Sequence, residues 1–303
     1  MKTATTSKDR SQPFRGVFAA LVTPMKANEE IDYPRLAEFT DHLVRRGLHG
    51  LVPLGSTGEY YALSAEERER VLRATLEAAA GRVPVVAGAN AGSTREVIAF
   101  ARQAEQLGCD GVMLAAPYYS LPRPEELFAH FRAVNNAIGL PIVLYNYPGR
   151  TGVDMAPELI ERLAGLSHVR YVKESTGEMA RITELLRRCG GRLGVFCGCD
   201  TIALESLMVG AIGWIGGVAN VLPQAHAGLY RMAVVEKNWA AARKLFFKML
   251  PVLELMEGGG KYTQFVKAAC GLAGQPAGPP RRPLLVPTAA ERARLRQALE
   301  ALV

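Results

Sequence analysis

The segment VPVVAGANAGSTREVIAFARQAEQLGCDGVMLAA, residues 83–116, contains one complete copy of the pattern that decides the fold. Its two ends, VPVVAG at 83–88 and GVMLAA at 111–116, are short apolar runs typical of buried strands. Four apolar residues between them recur at helical spacing: Val97, Ala101, Ala104 and Leu107. A strand, a helix and a second strand at this spacing predict parallel strands joined by a right-handed crossover.

The same alternation runs through most of the chain. Helix-start signals recur between the apolar runs, and one of them is a capping box formed by Ser64 and Glu67. Strand-like runs occur at eight places: 16–22, 50–55, 83–88, 111–116, 141–146, 169–174, 193–198 and 211–217. Eight strand–helix units predict an α/β protein with a (β/α)₈ TIM barrel, for which about 250 residues are usual. An open, doubly wound sheet is the alternative fold, but no glycine-rich dinucleotide-binding turn follows the first strand.

The length and composition of the chain suit a globular enzyme with more than a barrel. With 303 residues, 49% of them hydrophobic, the chain can bury a large core. We expect a disordered tail at 1–13, the barrel at 14–235 and a C-terminal helical extension at 236–303. Because the extension is longer than barrel closure requires, we expect it to pack against the barrel or against a neighbouring subunit.

Charge, hydropathy and cysteine usage exclude several classes of protein. The net charge of +7 is spread along the chain and is not concentrated on one element with interleaved aromatic residues, so nucleic-acid binding is not expected. No apolar run reaches the about 18 residues that a membrane span needs, so we expect no membrane association. The five cysteines are odd in number and scattered, which favours reduced thiols in a cytoplasm.

A metal is not expected either. The CGC at 197–199 has two thiols one residue apart but no second pair of ligands, which makes it a weak zinc motif. None of the five histidines lies at ligand spacing from a carboxylate near a strand end. We therefore interpret the histidines as surface or helix-face residues: His42, His49, His130, His168 and His226.

Polar side chains follow several of the predicted strands. In a (β/α)₈ barrel, functional groups collect at the carboxyl ends of the strands, where side chains from different strands converge. The polar segments after the second, fourth, fifth and sixth strands are GSTGEYY at 55–61, PYY at 117–119, YNYPGRTG at 145–152 and VKESTG at 172–177. The sequence therefore predicts a site at this end of the barrel.

Lys173 lies inside the sixth strand-like run, whose neighbouring residues suit a buried sheet. Because side chains alternate along a strand, Lys173 points into the barrel if Val172 and Glu174 point outward. One interpretation is a lysine paired with a buried carboxylate. The other is a nucleophile that forms a Schiff base, since burial among apolar residues disfavours the charged amine and leaves a neutral nucleophile.

A Schiff-base mechanism also needs a proton carrier and a holder for the carboxylate of the substrate. Tyr145, near the end of the preceding strand, can carry protons through its phenol, although a core tyrosine is the alternative. In GSTGE, the hydroxyls of Ser56 and Thr57 are suited to binding an anion, and Gly58 allows a close approach of the backbone. A capping turn is the alternative interpretation of this motif.

These motifs, in this order and at these separations, resemble the dihydrodipicolinate synthase and N-acetylneuraminate lyase family of class I pyruvate aldolases. The resemblance covers about Gly16 to Leu285. It implies a (β/α)₈ barrel with added C-terminal helices, usually assembled as a homotetramer that is a dimer of dimers. It also implies pyruvate and a small aldehyde as substrates, with no cofactor beyond the covalent imine.

The resemblance assigns a role to each matching residue. Lys173 would form the imine with the keto carbon of pyruvate, and Tyr145 would relay protons. Thr57 would join Tyr145 to Tyr119, which in the family reaches across the tight dimer interface into the neighbouring site. The residues that would contact substrate are Ser56, Thr57 and Gly58 at the pyruvate carboxylate, Arg150 at the entrance, and Gly198 and Ile215 through their backbone carbonyls.

Departures from the family pattern bear on the aldehyde. Ser56 and Thr57 stand where the synthases usually have two threonines, and this pairing is shared with N-acetylneuraminate lyases. Arg150, in contrast, is synthase-like. Tyr60 and Tyr61 follow the turn where small residues are usual in synthases, which should narrow or reshape the aldehyde pocket. The resemblance therefore supports pyruvate more strongly than any one aldehyde.

Several functions within the family stay open. Synthase-like condensation is the first, and the alternatives are a 2-keto-3-deoxy sugar acid or N-acetylneuraminate-type aldolase, or a dehydratase that uses the same imine. A catalytically silent paralogue that only binds a keto acid is the non-enzyme alternative, which the complete set of proton-relay residues disfavours. At the effector site of lysine-inhibited synthases, the matching positions are Gly92, Ala65 and Arg68, so we expect no inhibition by lysine.

Overall fold

The computed structural model describes residues 14–300 and 302, and the tail expected at 1–13 lies outside them. Its centre is a ring of eight parallel strands. Their bounds are β1 Gly16–Ala20, β2 Gly50–Val52, β3 Val86–Gly88, β4 Gly111–Ala115, β5 Ile142–Asn146, β6 Val169–Glu174, β7 Gly194–Cys197 and β8 Gly213–Gly216. Each strand lies inside one of the eight predicted apolar runs, which confirms the predicted alternation.

Strand pairing closes the ring. Neighbouring strands pair in the order β2-β1-β8-β7-β6-β5-β4-β3. A parallel bridge between Leu51 and Val85 links the two end strands, and the Leu51 amide donates to the Pro84 carbonyl across 3.0 Å. The fold is therefore a nearly closed (β/α)₈ TIM barrel, as predicted, and the doubly wound sheet is excluded.

Helices follow the strands and form the outer layer. Their bounds are α1 Tyr33–Arg45, α2 Ala65–Ala79, α3 Thr94–Leu107, α4 Pro124–Asn135, α5 Pro148–Thr151, α6 Pro157–Leu163, α7 Met179–Cys189, α8 Ala203–Met208, α9 Pro223–Tyr230, α10 Trp239–Gly258, α11 Tyr262–Leu272 and α12 Ala289–Glu300. The predicted capping box begins α2: the Glu67 amide donates to Ser64 Oγ across 3.1 Å, and the Ser64 amide donates to the Glu67 carboxylate across 2.9 Å. Within the described residues, no helix is both long and apolar enough to cross a membrane.

Two apolar cores result from the alternation of side chains along the strands. Outward-facing residues such as Val172 pack beneath the helices in the larger core. Inward-facing residues fill the barrel, where the rings of Phe18, Tyr171 and Phe196 close the amino-terminal half. Gly50 is required beside them, since a Cβ there would lie 2.1 Å from Cε1 of Phe18. The carboxyl-terminal end of the barrel is left for polar groups.

The three last helices form the C-terminal assembly that the sequence predicts. Helix α11 packs on α10 and α12, and α10 contacts the turn at Asp200–Ile202 that follows β7. A turn of π-helix at Arg231–Val235 continues α9. The assembly therefore reaches the barrel end where the site was predicted. The division of the chain into 14–235 and 236–303 stays a prediction.

Three of the histidines lie on helices, as expected, and two of these, His130 and His226, are buried. His226 on α9 is fully buried, with its ring centre 4.1 Å from that of Trp214. Burial lowers the pKa of His226 to about 3 and that of His130, on α4, to about 4. Both are therefore neutral core residues near pH 7. In the part of the chain that the structure describes, no group of three or more His, Cys, Asp or Glu side chains could hold a metal ion.

Candidate active site

A cavity opens at the carboxyl-terminal end of the barrel. Seven of the predicted site residues line it: Ser56, Thr57, Tyr145, Arg150, Lys173, Gly198 and Ile215. They come from strand ends and loops that are far apart in the sequence. Closure of the barrel is what brings them together, as expected for a site built on βα loops.

Lys173 lies near the end of β6, is 5% exposed and faces the cavity. Its Nζ is 4.2 Å from the centre of the Tyr145 ring, and the two residues are paired in register between β5 and β6. The flanking Val172 and Glu174 point outward; the first packs in the outer core and the second accepts a hydrogen bond from Asn146 Nδ2 across 3.0 Å. The strand therefore directs the amine and the phenol into one space.

Two lysines are buried in the described part of the chain, and their partners differ. Lys267 Nζ lies 2.7 Å from Oε1 of Glu59 and 2.9 Å from the carbonyl oxygen of Thr23. Lys173 forms no ion pair with a carboxylate among residues 14–300. A buried lysine with a carboxylate partner thus describes Lys267, whereas the surroundings of Lys173 suit a nucleophile.

The turn after β2 brings Ser56 and Thr57 to the cavity. Gly58 lies outside the lining: its amide donates to the Gly55 carbonyl across 3.0 Å, and its carbonyl accepts from Thr23 Oγ1 across 2.8 Å. Gly58 therefore shapes the turn, and its amide is engaged within the protein. This geometry does not support the predicted contact between Gly58 and substrate.

A buried ion pair and a partly exposed one fix this turn to the C-terminal assembly. Glu59, directly after the turn, is fully buried in a left-handed conformation with φ of 58°. Its carboxylate accepts from Lys267 of α11 across 2.7 Å and from the Arg281 amide across 2.7 Å. The Arg281 guanidinium in turn donates to both carboxylate oxygens of Glu67, each across 2.8 Å. Charge-assisted bonds of this kind hold the position of the hydroxyls that precede Glu59.

Gly198 and Ile215 form the wall next to the lysine. The Gly198 amide donates to the Glu174 carbonyl across 2.7 Å. Only glycine fits there, since a Cβ would lie 1.9 Å from Ser175 Oγ and 2.8 Å from Lys173 Cγ. Ser175 also lines the cavity, and its hydroxyl is buried without a hydrogen-bond partner among the described residues. Sequence analysis missed this residue, although it lies two positions after the lysine on the same face of the chain.

Arg150 lies at the mouth of the site, on α5. It lines both the inner cavity and a second, outer cavity of about 230 Å³. Tyr147 also lines both, and its ring centre is 5.8 Å from the guanidinium carbon of Arg150. Tyr60 and Tyr61 line the outer cavity, with ring centres 5.6 Å apart. Burial raises the pKa of both hydroxyls, so they remain hydrogen-bond donors at the mouth.

Tyr119 lines neither cavity. It lies between β4 and α4, is 96% exposed and has a φ of 72°. The neighbouring Tyr118 lines the outer cavity instead. Within one chain, the structure therefore does not bring Tyr119 to Lys173.

Three residues of the lining come from the C-terminal assembly, and sequence analysis missed them: Glu257, Tyr262 and Thr263. The Tyr262 hydroxyl donates to Oδ2 of Asp200, and the Asp200 amide donates to Oε1 of Glu257 across 2.9 Å. The Trp214 indole N–H donates to Oδ1 of Asp200 across 2.8 Å. Burial, with the nearby charge of Glu257, raises the pKa of Asp200 to about 7. In the sequence, the position of Asp200 soon after β7 is the one signal that could have indicated this group of polar residues.

The resemblance predicts that Ala65, Gly92 and Arg68 match the effector site of lysine-inhibited family members. The Arg68 guanidinium is buried and lies 3.6 Å above the centre of the Phe100 ring. It donates to the carbonyls of Gly88 and Asn90 across 3.3 and 3.1 Å. Burial lowers the pKa of Arg68 to about 10, so it keeps its charge at neutral pH. The predicted effector position is thus occupied by the Arg68 guanidinium, which is hydrogen-bonded within the protein.

A buried amine at the end of a barrel strand, next to a phenol that can exchange protons, is suited to covalent catalysis through an imine. Fold and site together define the class of the protein as a (β/α)₈-barrel lyase of the class I, Schiff-base type. The sequence profile of the dihydrodipicolinate synthetase family matches residues 13–302, and the chain belongs to this family.

Relatives match over nearly the whole chain. A 4-hydroxy-tetrahydrodipicolinate synthase of Halorhodospira halophila is 41% identical over 293 residues, which are 95% of this chain and 96% of the relative. The 4-hydroxy-tetrahydrodipicolinate synthase of Methylacidiphilum fumariolicum superposes with a TM-score of 0.92 at 32% identity, covering 96% of each chain. The chloride-inhibited dihydrodipicolinate synthase of Acinetobacter baumannii, complexed with pyruvate, superposes with a TM-score of 0.90 at 32% identity, covering 95% of this chain and 98% of that one.

Proposed function

We propose that this protein is a 4-hydroxy-tetrahydrodipicolinate synthase, which joins pyruvate to a small aldehyde through an imine on Lys173. The observation that carries the proposal is the shared cavity, where the amine lies 4.2 Å from the Tyr145 ring and beside Ser56 and Thr57. The names of the relatives, and the pyruvate in the A. baumannii structure, support the same assignment.

The reaction would proceed in two stages at the lysine. Lys173 attacks the keto carbon of pyruvate, and loss of water gives the imine. The protonated imine withdraws electrons, so the methyl group of pyruvate loses a proton and becomes the nucleophilic carbon of an enamine. That carbon attacks the aldehyde carbon, and the aldehyde oxygen takes up a proton through Tyr145 and Thr57. Attack of a nucleophile such as water on the resulting imine then displaces Lys173, which releases the product and restores the free amine. Because the imine is itself the electron sink, we propose that no bound cofactor takes part.

The remaining groups would orient the two substrates. The hydroxyls and amides of Ser56 and Thr57 are suited to the carboxylate of pyruvate. Gly198 and Ile215 would line the opposite side of pyruvate through their backbone carbonyls. Arg150 at the mouth would bind a carboxylate of the aldehyde, since a guanidinium can donate two parallel hydrogen bonds to such a group.

We further propose that Tyr119 completes the proton relay of a neighbouring subunit in a homotetramer built as a dimer of dimers. In one chain this side chain is 96% exposed, with a φ of 72° that non-glycine residues adopt only where surrounding contacts hold them. A partner subunit would supply such contacts. A cytoplasmic location is also inferred, because the five cysteines are free thiols, as a reducing compartment favours.

Mixed dimers test the role of Tyr119. Tyr119→Phe should lower turnover by about 10²–10⁴-fold while imine formation persists, since one positioned proton-transfer group is lost. Mixing it with inactive Tyr145→Phe under conditions of subunit exchange should restore part of the activity through hybrid sites. If exchange is demonstrated and no activity returns, Tyr119 does not act in a neighbouring site.

The proposed activity is tested with a panel of aldehydes. The protein is mixed with pyruvate and with aspartate semialdehyde, N-acetylmannosamine or glyceraldehyde, and condensation is measured for each. We expect the highest kcat/KM with aspartate semialdehyde. A clear preference for either sugar aldehyde would instead assign a sugar acid aldolase, and consumption of a deoxy-keto sugar acid without aldehyde release would assign a dehydratase.

A further inference from the structure

The turn that carries the two cavity hydroxyls has strained backbone at both of its ends. Leu54 and Glu59 flank GSTG at 55–58, and their φ angles are 60° and 58° although neither residue is glycine. Residues in this left-handed conformation persist only where the surrounding structure holds them. The contacts at the two ends of the turn therefore set the geometry of the hydroxyls between them.

The first end of the turn is held by the barrel itself. Strand β3 lies so close to Leu54 that a Cβ at Gly88 would be 2.0 Å from the Leu54 carbonyl oxygen. The Gly88 amide also donates to the Pro53 carbonyl across 2.9 Å. Close packing and main-chain hydrogen bonds with a neighbouring strand thus fix this end.

The second end is held from outside the barrel, by Lys267 of α11. Its Nζ donates to Oε1 of Glu59 across 2.7 Å and to the Thr23 carbonyl across 2.9 Å. The Thr23 hydroxyl in turn donates to the Gly58 carbonyl across 2.8 Å. These three hydrogen bonds close a ring through Lys267, Glu59, Gly58 and Thr23, which we call the lysine clamp.

The lysine clamp is removed from water. The side chains of Lys267 and Glu59 are 1% and 0% exposed, and Thr23 is buried as well. A buried ion pair adds little net stability, because the cost of desolvating two charges offsets most of their attraction. What such a pair can add is a fixed geometry, since charge-assisted hydrogen bonds are short and directional. The burial of the clamp therefore suits a role in positioning.

Helix α11 links the lysine clamp to the wall of the inner cavity. Thr263 lies one helical turn before Lys267, and residues at this spacing share one face of a helix. Thr263 is buried and lines the inner cavity, as does Tyr262. One helix thus contributes to the cavity wall and also holds the turn that carries the hydroxyls.

We propose that Lys267 is a positioning residue for pyruvate. It holds the turn in the conformation in which the hydroxyls of Ser56 and Thr57 meet the carboxylate of pyruvate. Within the described part of the chain, Lys267 is not among the residues that line the inner cavity, so it acts on pyruvate through the turn. The affinity for pyruvate thus depends on the docking of α11. The proposal rests on the proposed function, because it concerns the turn that binds pyruvate in that mechanism.

The test measures pyruvate binding without the aldehyde. The rate of borohydride trapping is followed against pyruvate concentration, well below the thermal midpoint of each variant. This gives the half-saturating concentration of pyruvate and the maximal trapping rate separately, and neither value depends on which aldehyde reacts.

Three variants are compared with wild type. Lys267→Met combined with Glu59→Gln removes both charges together, which folded proteins often tolerate. Thr23→Val keeps the ion pair and a similar side-chain shape and removes only the hydroxyl. The control is Val266→Ala, since Val266 is fully buried in the outer core on the same helix and makes none of the bonds of the lysine clamp.

The proposal predicts a change in affinity and not in the chemistry of the lysine. The double variant should raise the half-saturating concentration of pyruvate by about 10–100-fold, as expected when binding groups are slightly misplaced. Its maximal trapping rate should stay within about 3-fold of wild type, because Lys173 is unchanged. Thr23→Val should raise the half-saturating concentration by about 3-fold or more, since one hydrogen bond is lost. Val266→Ala should match wild type in both values.

Three outcomes would overturn it. The double variant could keep the wild-type half-saturating concentration, and if it does not fold, the same result with Thr23→Val decides. The double variant could lower only the maximal rate, which would show that the ion pair acts on Lys173. Val266→Ala could raise the half-saturating concentration as much as the clamp variants, which would assign the effect to lost stability. Failure of wild type to trap pyruvate at all would overturn the proposed function instead, so the failures are distinct.

Discussion

The two halves of the barrel interior are built on the same strands and yet have opposite properties. On β6, Tyr171 and Lys173 are two residues apart and face the same side. The Tyr171 ring stacks on Phe14 at 4.9 Å, and its hydroxyl accepts a hydrogen bond from the Phe14 amide across 2.9 Å. Around Lys173 there is instead a cavity, an unpartnered hydroxyl at Ser175 and a buried acid at Asp200.

This contrast shows how the fold separates stability from chemistry. In the amino-terminal half, the rings of Phe14, Phe18, Tyr171 and Phe196 pack against one another, so they contribute to the free energy of unfolding. In the carboxyl-terminal half, polar groups are left unmatched for a ligand, which lowers stability and allows reaction. Substitutions in the amino-terminal half should therefore lower mainly the free energy of unfolding, and loss of the nucleophile in the carboxyl-terminal half should lower mainly the activity.

The largest effect is expected for Lys173→Met. Loss of the nucleophile should reduce condensation by about 10⁴-fold or more, because Lys173 supplies the one side-chain amine in the lining that residues 14–300 form. The thermal midpoint should stay within about 2 °C of wild type or rise, since an apolar side chain of similar length replaces a buried amine. A large loss of stability would show that Lys173 is a structural residue, as Lys267 is.

The largest effect on stability is expected at the other end, for Phe18→Ala. The Phe18 ring is fully buried against Gly50 and lies 5.4 Å from the Phe196 ring, so its removal leaves a cavity. The free energy of unfolding in urea should fall by about 3–5 kcal/mol. Trapping of pyruvate by the folded fraction should be unchanged. Loss of trapping without loss of stability would contradict the separation of the two halves.

The substitution Asp200→Asn tests how much the polar, carboxyl-terminal half of the barrel lowers stability, by way of the pH dependence of unfolding. Unfolded aspartate loses its proton near pH 4, whereas buried Asp200 keeps it until about pH 7. The folded state therefore holds more protons in this interval, and this group lowers stability as pH rises from about 4 to 7. Unfolding in urea at several pH values should reveal this loss in wild type, on the order of 4 kcal/mol for a shift of about three pKa units, and a smaller one in Asp200→Asn. Equal pH dependence in both proteins would contradict it.

The smallest effect is expected for added lysine. At the position of the effector site, Arg68 is already bonded to two carbonyls, and Gly92 offers no side chain. Millimolar lysine should therefore leave condensation unchanged, because the Arg68 guanidinium is already hydrogen-bonded within the protein and its charge disfavours the ammonium groups of lysine. Clear inhibition would show that the effector site is formed by other residues.

The barrel part of the site could be predicted from the sequence because strands impose strict rules. Each strand is a short apolar run, side chains alternate, and strand ends converge, so the sequence could place Lys173 and Tyr145 at the carboxyl-terminal end of the barrel, although position alone left a structural role open for each. The turn with Ser56 and Thr57 was found in the same way. The positions of residues on predicted strands, or directly after them, can therefore be predicted without knowledge of side-chain packing.

The contribution of the C-terminal assembly could not be predicted. Glu257 and Tyr262 lie at the end of one helix and the start of another, and helical periodicity does not say where such residues dock. Their position is set by tertiary hydrogen bonds to Asp200. The structural role of Gly58 could not be predicted for a related reason, since only the structure reveals that its amide donates to the Gly55 carbonyl.

The most direct test of the account is reductive trapping of pyruvate. Wild type is incubated with pyruvate and borohydride, digested, and the peptides are mapped by mass spectrometry. We expect one irreversible adduct, on Lys173 in the carboxyl-terminal half of the barrel, with loss of activity in proportion to labelling and with no adduct on buried Lys267. An adduct on any other residue, or trapping that persists in Lys173→Met, would contradict it.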